Sequence, residues 1–565
     1  MENKEDEVVG FNENLEENEI ISAQNNSCSK KDKIFIFLFI SVLIIVAAII
    51  ILYFFYLKED NEYKDEDNLL KNYSFKAIYY TEENNTKVSL GISSDEVLEM
   101  NIDGIKVYNT NNFTFNYSGN HIVYILLNLE KMDSLGFLFY GNEYLKTVRF
   151  AKNLKTSNIQ KLDSMFDGCS SLTSIDFSNF NTENVHNMTR MFYTCSSLTS
   201  IDISHLNTKN VLSMDYMFDH CESLISINLS KLNLSQVISM YYMFHFCSSL
   251  ESINLSNLNF GKLETAIAIF ANNKKLTSIN LKNVKTPSLK VMDRMFEGCE
   301  SLKSIDLSSL NTSKVVNFTN LFKDCYNLTS IDISNFITDS ANSFMGMIDG
   351  CTSLTSIDIV HFNFSQITFM QNMFSFCHKL KIIDFSNMKI DNLVHFYQVF
   401  SNCISLEKII MPKNIIKVLD IFSLFHNCYK LTSIDLSYFN VENLINISYM
   451  FYNCRSLMSV DLSNFKTENL TFMQFMFYGC FSLTSVALSS FNTFNVMNYQ
   501  NIFGDCGNLT SIDISSFRIG NNGLPSSIFS IFDHRLPING NIKISKEFYN
   551  RINTKRIEKW NISIV

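Results

Sequence analysis

Cysteine spacing constrains this chain more than any other feature. Thirteen of its fourteen cysteines are Cys169, Cys195, Cys221, Cys247, Cys299, Cys325, Cys351, Cys377, Cys403, Cys428, Cys454, Cys480 and Cys506. Every step is 26 residues except one of 25 and one of 52. Within the double step, Asn273 follows Phe270 just as Cys169 follows Phe166. A period in this range marks a solenoid, in which no unit buries its apolar face until its neighbours stack on it. A long repetitive surface suits binding more readily than one catalytic pocket.

Two successive units read MFDGCSSLTSIDFSNFNTENVHNM, from Met165 to Met188, and MFYTCSSLTSIDISHLNTKNVLSM, from Met191 to Met214. From Ser174 to Ser178 polar and apolar residues alternate, which predicts a short strand with Ile175 and Phe177 inward and Asp176 outward. Val185, Met188, Met191 and Phe192 recur at helical spacing, so the return leg is expected to be a helical turn or two. Parallel strands need a crossover of about a dozen residues, and the remainder of each unit supplies it. The predicted fold is α/β: a right-handed, leucine-rich-repeat-like solenoid of about 15 units, from about 136 to about 520. Phe166, Phe192, Phe218, Phe244, Phe270 and Phe296 would form an internal spine, with Ile348 as an exception.

Ser200-Ile201-Asp202-Ile203-Ser204 and Met217-Phe218-Asp219-His220-Cys221 carry a signature that resembles the 26-residue BspA-like leucine-rich-repeat surface proteins. The resemblance covers about two-thirds of the chain. Leu406–Pro412 departs from it and is closer to the proline-bearing repeat of the treponemal branch. The resemblance implies a curved solenoid on a cell surface, with adhesion or host-protein binding as the usual role, and names no ligand.

The array holds an odd number of cysteines, so complete pairing within it is impossible. Neighbours in register would place Cβ atoms about 4.8 Å apart, beyond the ~3.5–4.5 Å that a disulfide needs. Asn142 and Asn273 occupy the same slot and retain only hydrogen bonding. A ladder of reduced, buried thiols bonding to backbone is expected.

Ile34–Leu57 is 24 residues without a charge. As a helix it spans about 36 Å, enough for ~30 Å of hydrocarbon, and predicts one transmembrane helix. Lys30, Lys31 and Lys33 precede it, and six acids accompany the lysines beyond it, so the N-terminus is expected in the cytosol and the repeats outside. Residues 1–33, with nine acids and four lysines, read as a disordered cytoplasmic tail, and 58–68 as a charged linker. Residues 69–135 read as a β-rich cap, with strands at FKAIYY, KVSLGI, FTFNYS and HIVYILLN. Residues 521–565 form the other cap, with a strand at Asn541–Ser545 and an amphipathic helix over Lys546–Trp560.

A formal net charge of −10 without basic runs argues against a nucleic-acid partner. There is no GxGxxG, P-loop, HExxH, GxSxG or CxxC, so no catalytic residues, cofactor or metal ligands are assigned. The ten histidines keep no shared repeat position; His220, His245 and His426 lie near the cysteine slot, and most read as individual surface or turn residues.

Two features of the predicted strand face are candidates for binding. Its outward position is Asp in nine of fourteen regular units, four of them consecutive: Asp306, Asp332, Asp358 and Asp384. This row is either a solvated, serine-bonded sheet face or an acidic strip for a basic partner or, weakly, Ca²⁺; one oxygen row is far from a 6–8-ligand cage. Val360, Ile382 and Ile410, with Pro412 beside them, interrupt the polar face and suggest contact with a protein. The expected function is a membrane-anchored cell-surface protein that binds extracellular proteins or glycans, as an adhesin or coat component. A single-pass receptor signalling through the short acidic tail is the alternative.

Overall fold

The computed structural model describes Val46 and residues 68–565, except 153, 387, 389, 391, 413–417, 440, 521–525, 533 and 534. The chain divides into two compact units, Met1–Asn72 and Tyr73–Val565. Among the described residues no helix is long and apolar enough to cross a membrane. Apart from Val46, the predicted span Ile34–Leu57 lies outside the described residues, as do the tail and almost all of the charged linker.

The second unit opens with six strands: β1 (Phe75–Thr81), β2 (Thr86–Ser89), β3 (Val97–Ile102), β4 (Ile105–Tyr108), β5 (Asn112–Phe115) and β6 (Gly119–Leu127). Sequence alternation locates β1, β2, β5 and β6 but misses the β3–β4 hairpin. Its signal is Asp103-Gly104, whose φ values of 49° and 90° are those a tight two-residue hairpin turn demands.

This cap is not a separate layer. Its sheet runs β4-β3-β6-β1-β7-β8, where β7 is Leu145–Phe150 and β8 is Ser174–Asp176. β1 pairs antiparallel with β7, the first strand of the array, and β7 pairs parallel with β8. Backbone that would otherwise be an open edge is thereby hydrogen-bonded.

The array strands are shorter than the alternation predicts. Those described are β9 (Ser252–Asn254), β10 (Ser278–Asn280), β11 (Ser304–Asp306), β12 (Ser330–Asp332), β13 (Ile382–Asp384), β14 (Lys408–Ile410), β15 (Ser485–Ala487) and β16 (Ser511–Ile514). β8 stops at Asp176 rather than Ser178; 200–204 carries no strand, and in 226–230 only Asn228 bridges its neighbour, Asn254. The early stop after the aspartate position has a local cause: the Asp176 carboxylate accepts the Ser178 N–H at 2.9 Å, and Asp202 and Asn228 accept from Ser204 and Ser230 in the same way. Such a side chain offers the backbone a turn in place of the next ladder bond.

The return leg is not helical, which corrects the expected α/β class: the array is a β-solenoid of about 15 turns. N–H groups of Met188, Arg190, Phe192 and Thr194 donate to Ser213, Asp215, Met217 and Asp219 of the next unit at 2.8–3.1 Å. Those of Met191, Tyr193 and Cys195 close turns on Met188, Arg190 and Phe192. Alternate amides thus point along the stack and back into tight turns. Turns three residues long bury Val185, Met188 and Met191, a spacing that mimics an amphipathic helix. A second column of parallel bridges, absent from the sequence reading, climbs this leg from Ser134↔Lys161 to Phe472↔Asn498.

These turns have a cost. In each unit the residue before the cysteine slot and the residue five before it adopt positive φ, as do His220 (60°) and Tyr216 (57°). A side chain with a Cβ in this region loses roughly 1–2 kcal/mol, and the packing inside must offset it. That packing is dense. Phe166, Phe192, Phe218, Phe244, Phe270, Phe296 and Phe322 stack face to face at 5.2–5.9 Å. Ile348 interrupts the spine, and it resumes from Phe374 to Phe503.

All thirteen array cysteines are buried free thiols. Each donates to a carbonyl of the preceding unit, at 3.0–3.3 Å, as Cys195 does to Phe166. Burial pushes the thiols up, to about 12 at Cys299, Cys403 and Cys506.

After β16 the parallel ladder continues through β17 (Asn541–Ile544) and β18 (Asn561–Ile564). The predicted helix over Lys546–Trp560 is only a single turn, Lys546–Tyr549, followed by a 3-10 turn at Thr554–Arg556. Ser545 caps the first turn and Asn553 opens the second, so the segment folds as two short corners.

Candidate binding surface

The outward aspartates are turn residues first. Oδ1 of Asp306, Asp332, Asp358 and Asp384 accepts the N–H of Ser308, Ser334, Val360 and Ser386 at 2.8–3.1 Å. This occupies one carboxylate oxygen in each unit. Asp306, Asp332 and Asp358 are exposed, whereas Asp384 is half-buried. The serine bonds hold the carboxyls of Asp306 and Asp384 below the usual range. Because the bond needs only an acceptor, Asn228, Asn254 and Asn280 substitute freely.

The four apolar candidates do not form one patch. Val360 and Ile382 are 46% and 56% exposed. Ile410 is half-buried and Pro412 is buried, so Pro412 is no part of an outer surface. Val360 and Pro412 occupy equivalent places, two residues past the aspartate position. Val360 donates its N–H to Asp358 there, but proline has no N–H and its unit has Ile410 in place of aspartate. The turn that carries Val360 outward cannot form at Pro412. In register, Ile382 faces Lys408 and Asp384 faces Ile410. Val360 lies two residues after Asp358 and Ile382 two residues before Asp384, so the exposed pair flanks the aspartate row from opposite sides.

One constellation is invisible to a search for repeat positions. His220 and His245, read as individual turn residues, meet at Asp219. Both Nδ1 atoms lie on Oδ1 of that carboxylate, at 2.8 and 2.9 Å. The signal in the sequence is the 26-residue offset between Asp219 and His245, which places them in one column of adjacent turns.

Short parallel strands, an inter-turn ladder and a buried thiol column define a repeat solenoid. The chain belongs to the family DUF285, described as "Mycoplasma protein of unknown function", whose profile matches eight overlapping stretches: 132–258, 198–309, 262–384, 290–411, 342–459, 370–484, 394–517 and 453–535. The BspA-like repeat type read in the sequence holds, in units of about 26 residues. No curated protein matches the chain. Among solved structures it is similar to a leucine-rich cell-surface protein from Faecalibacterium prausnitzii A2-165, at 17% identity and a TM-score of 0.33, over 72% of this chain and 87% of that one. It is also similar to a leucine-rich-repeat protein from Eubacterium ventriosum, at 16% identity and a TM-score of 0.27, over 61% and 92%. The functional domain of InlJ from Listeria monocytogenes, described as including a cysteine ladder, matches at 14% identity and a TM-score of 0.18, over 78% of each chain.

Proposed function

We propose that this chain is a cell-surface binding protein, anchored by a single helix at Ile34–Leu57 with its N-terminus in the cytosol and its repeats outside. The stacked turns present side chains at a fixed interval, as an extended ligand requires. One observation supports a protein partner in particular: two large apolar side chains, Val360 and Ile382, stand exposed on either side of the acidic row Asp306 to Asp384. Apolar contacts next to charge are how protein-binding surfaces are built. The matching partner segment has basic side chains at its centre and apolar ones at its flanks. The test is a binding screen of the purified chain against extracellular proteins and glycans, repeated with Val360→Asp/Ile382→Asp. A protein ligand lost in the double variant supports the reading; a ligand bound equally by both moves the site elsewhere, and glycans alone as ligands refute the protein partner.

A further inference from the structure

We propose that Asp219, His220 and His245 form a binding site for one divalent transition-metal ion of the Zn²⁺ type. Three potential ligand atoms already converge. Oδ1 of Asp219 is 2.8 Å from Nδ1 of His220 and 2.9 Å from Nδ1 of His245. Zinc bonds of about 2.0–2.1 Å in a tetrahedron separate neighbouring ligand atoms by roughly 3.3 Å. Each histidine nitrogen needs to move from the carboxylate oxygen by only a few tenths of an ångström, and all three ligand atoms lie within 4.8 Å of one another. The ion binds Nδ1 of each neutral imidazole, whose single proton then sits on Nε2. The fourth position is left for water.

The backbone builds this meeting point. His220 takes positive φ (60°) and donates its N–H to the carbonyl of His245 at 2.9 Å, which locks the two turns together. The His220 ring stacks on Phe246 at 4.8 Å, and Tyr242 stands edge-on to His245 at 4.4 Å. These contacts hold the rings in place. The Asn272 amide lies 3.3 Å from Nε2 of His245 and, turned over, accepts the proton that metal binding leaves there. An outer partner of this kind orients a metal-binding histidine.

Charge gives an independent reason. Asp167, Asp219, Glu297 and Asp349 share one column of the solenoid. Asp167 is paired with Arg190 at 2.9 Å, Glu297 with Arg294 at 3.6 Å and Asp349 with Lys323 at 3.9 Å. Each of these has a permanently charged cation. The Asp219 side chain is 4% exposed, yet the basic groups that meet it are two histidines, of which one is 13% and the other 36% exposed. A buried carboxylate without a fixed cation is costly, and a bound cation removes that cost.

The test uses the full-length chain, stripped with a chelator and titrated with Zn²⁺ by calorimetry and with Co²⁺ by visible absorption. The expected result is one equivalent, a Co²⁺ spectrum of nitrogen and oxygen ligation without thiolate bands, and a raised melting temperature. His220→Asn and His245→Asn should each weaken binding by about tenfold or more, while His186→Ala, at a different turn, leaves it unchanged. Circular dichroism checks the fold of each variant; if either histidine variant unfolds, Asp219→Asn with the wild-type Co²⁺ spectrum decides the question. No binding, thiolate bands, or binding that survives in folded His245→Asn protein overturns the proposal.

Discussion

Nδ2 of Asn273 donates to the carbonyl of Phe244 at 2.9 Å, the bond that Cys247 makes to Phe218 one unit earlier through its sulfur at 3.1 Å. The slot therefore selects a small donor rather than sulfur chemistry. Asn273→Ala removes the donor and should cost about 1–3 kcal/mol, because a buried acceptor loses its partner. Asn273→Cys should be much closer to wild type. Chemical denaturation of the two variants compares them directly.

The thiols make stability depend on alkaline pH. Burial raises the folded values, to about 12 at Cys299, Cys403 and Cys506, above the ~8.5 of an unfolded cysteine. The folded chain then holds more protons than the unfolded one. Its contribution to stability is complete below the unfolded value and is lost as pH rises towards about 12. Melting temperature should fall steeply over that window. Alkylation of the native protein should stay slow at mildly alkaline pH and reach all thirteen array thiols only on denaturation.

Asp306 should behave as a turn residue. Asp306→Asn keeps the acceptor for Ser308 and should leave stability within about 0.5 kcal/mol. Asp306→Ala removes it and should cost roughly 0.5–1.5 kcal/mol. Equal losses in the two variants would mean that charge, not the turn bond, is what matters there.

Val360→Asp with Ile382→Asp should change thermal unfolding by no more than about 0.5 kcal/mol each, since both side chains are exposed. Ile410→Asp should cost more, because that side chain is half-buried. A double variant that unfolds would place Val360 and Ile382 in the core.

Much of this was readable in the chain. The cysteine period located the units, and the alternation at Ser174-Ile175-Asp176 located a strand and its inward residue. Helix and turn were confused because Val185, Met188 and Met191 recur every three residues, and a run of short turns buries the same positions as one face of a helix. Strand length was overestimated because alternation continues to Ser178, while the Asp176 carboxylate takes the Ser178 N–H and ends the ladder early. Pro412 looked outward by count, but counting assumes the turn that Asp358 makes with Val360. The histidine pair was hidden because a shared column is not a shared residue type: Asp219 and His245 are equivalent by position and differ in chemistry.

The bridge column pairs residues 26 apart over most of its length, from Lys161↔Asn187 to His395 and again from Asp420. Each unit is thus bounded by neighbours of its own kind. An in-frame duplication or loss of 26 codons would leave every remaining contact in register, and the two end structures would rejoin the array unaltered. Length in such a gene is free to drift by recombination between its own repeats. Homologous chains should then differ in reach by whole turns, while their first and last turns stay recognisably the same.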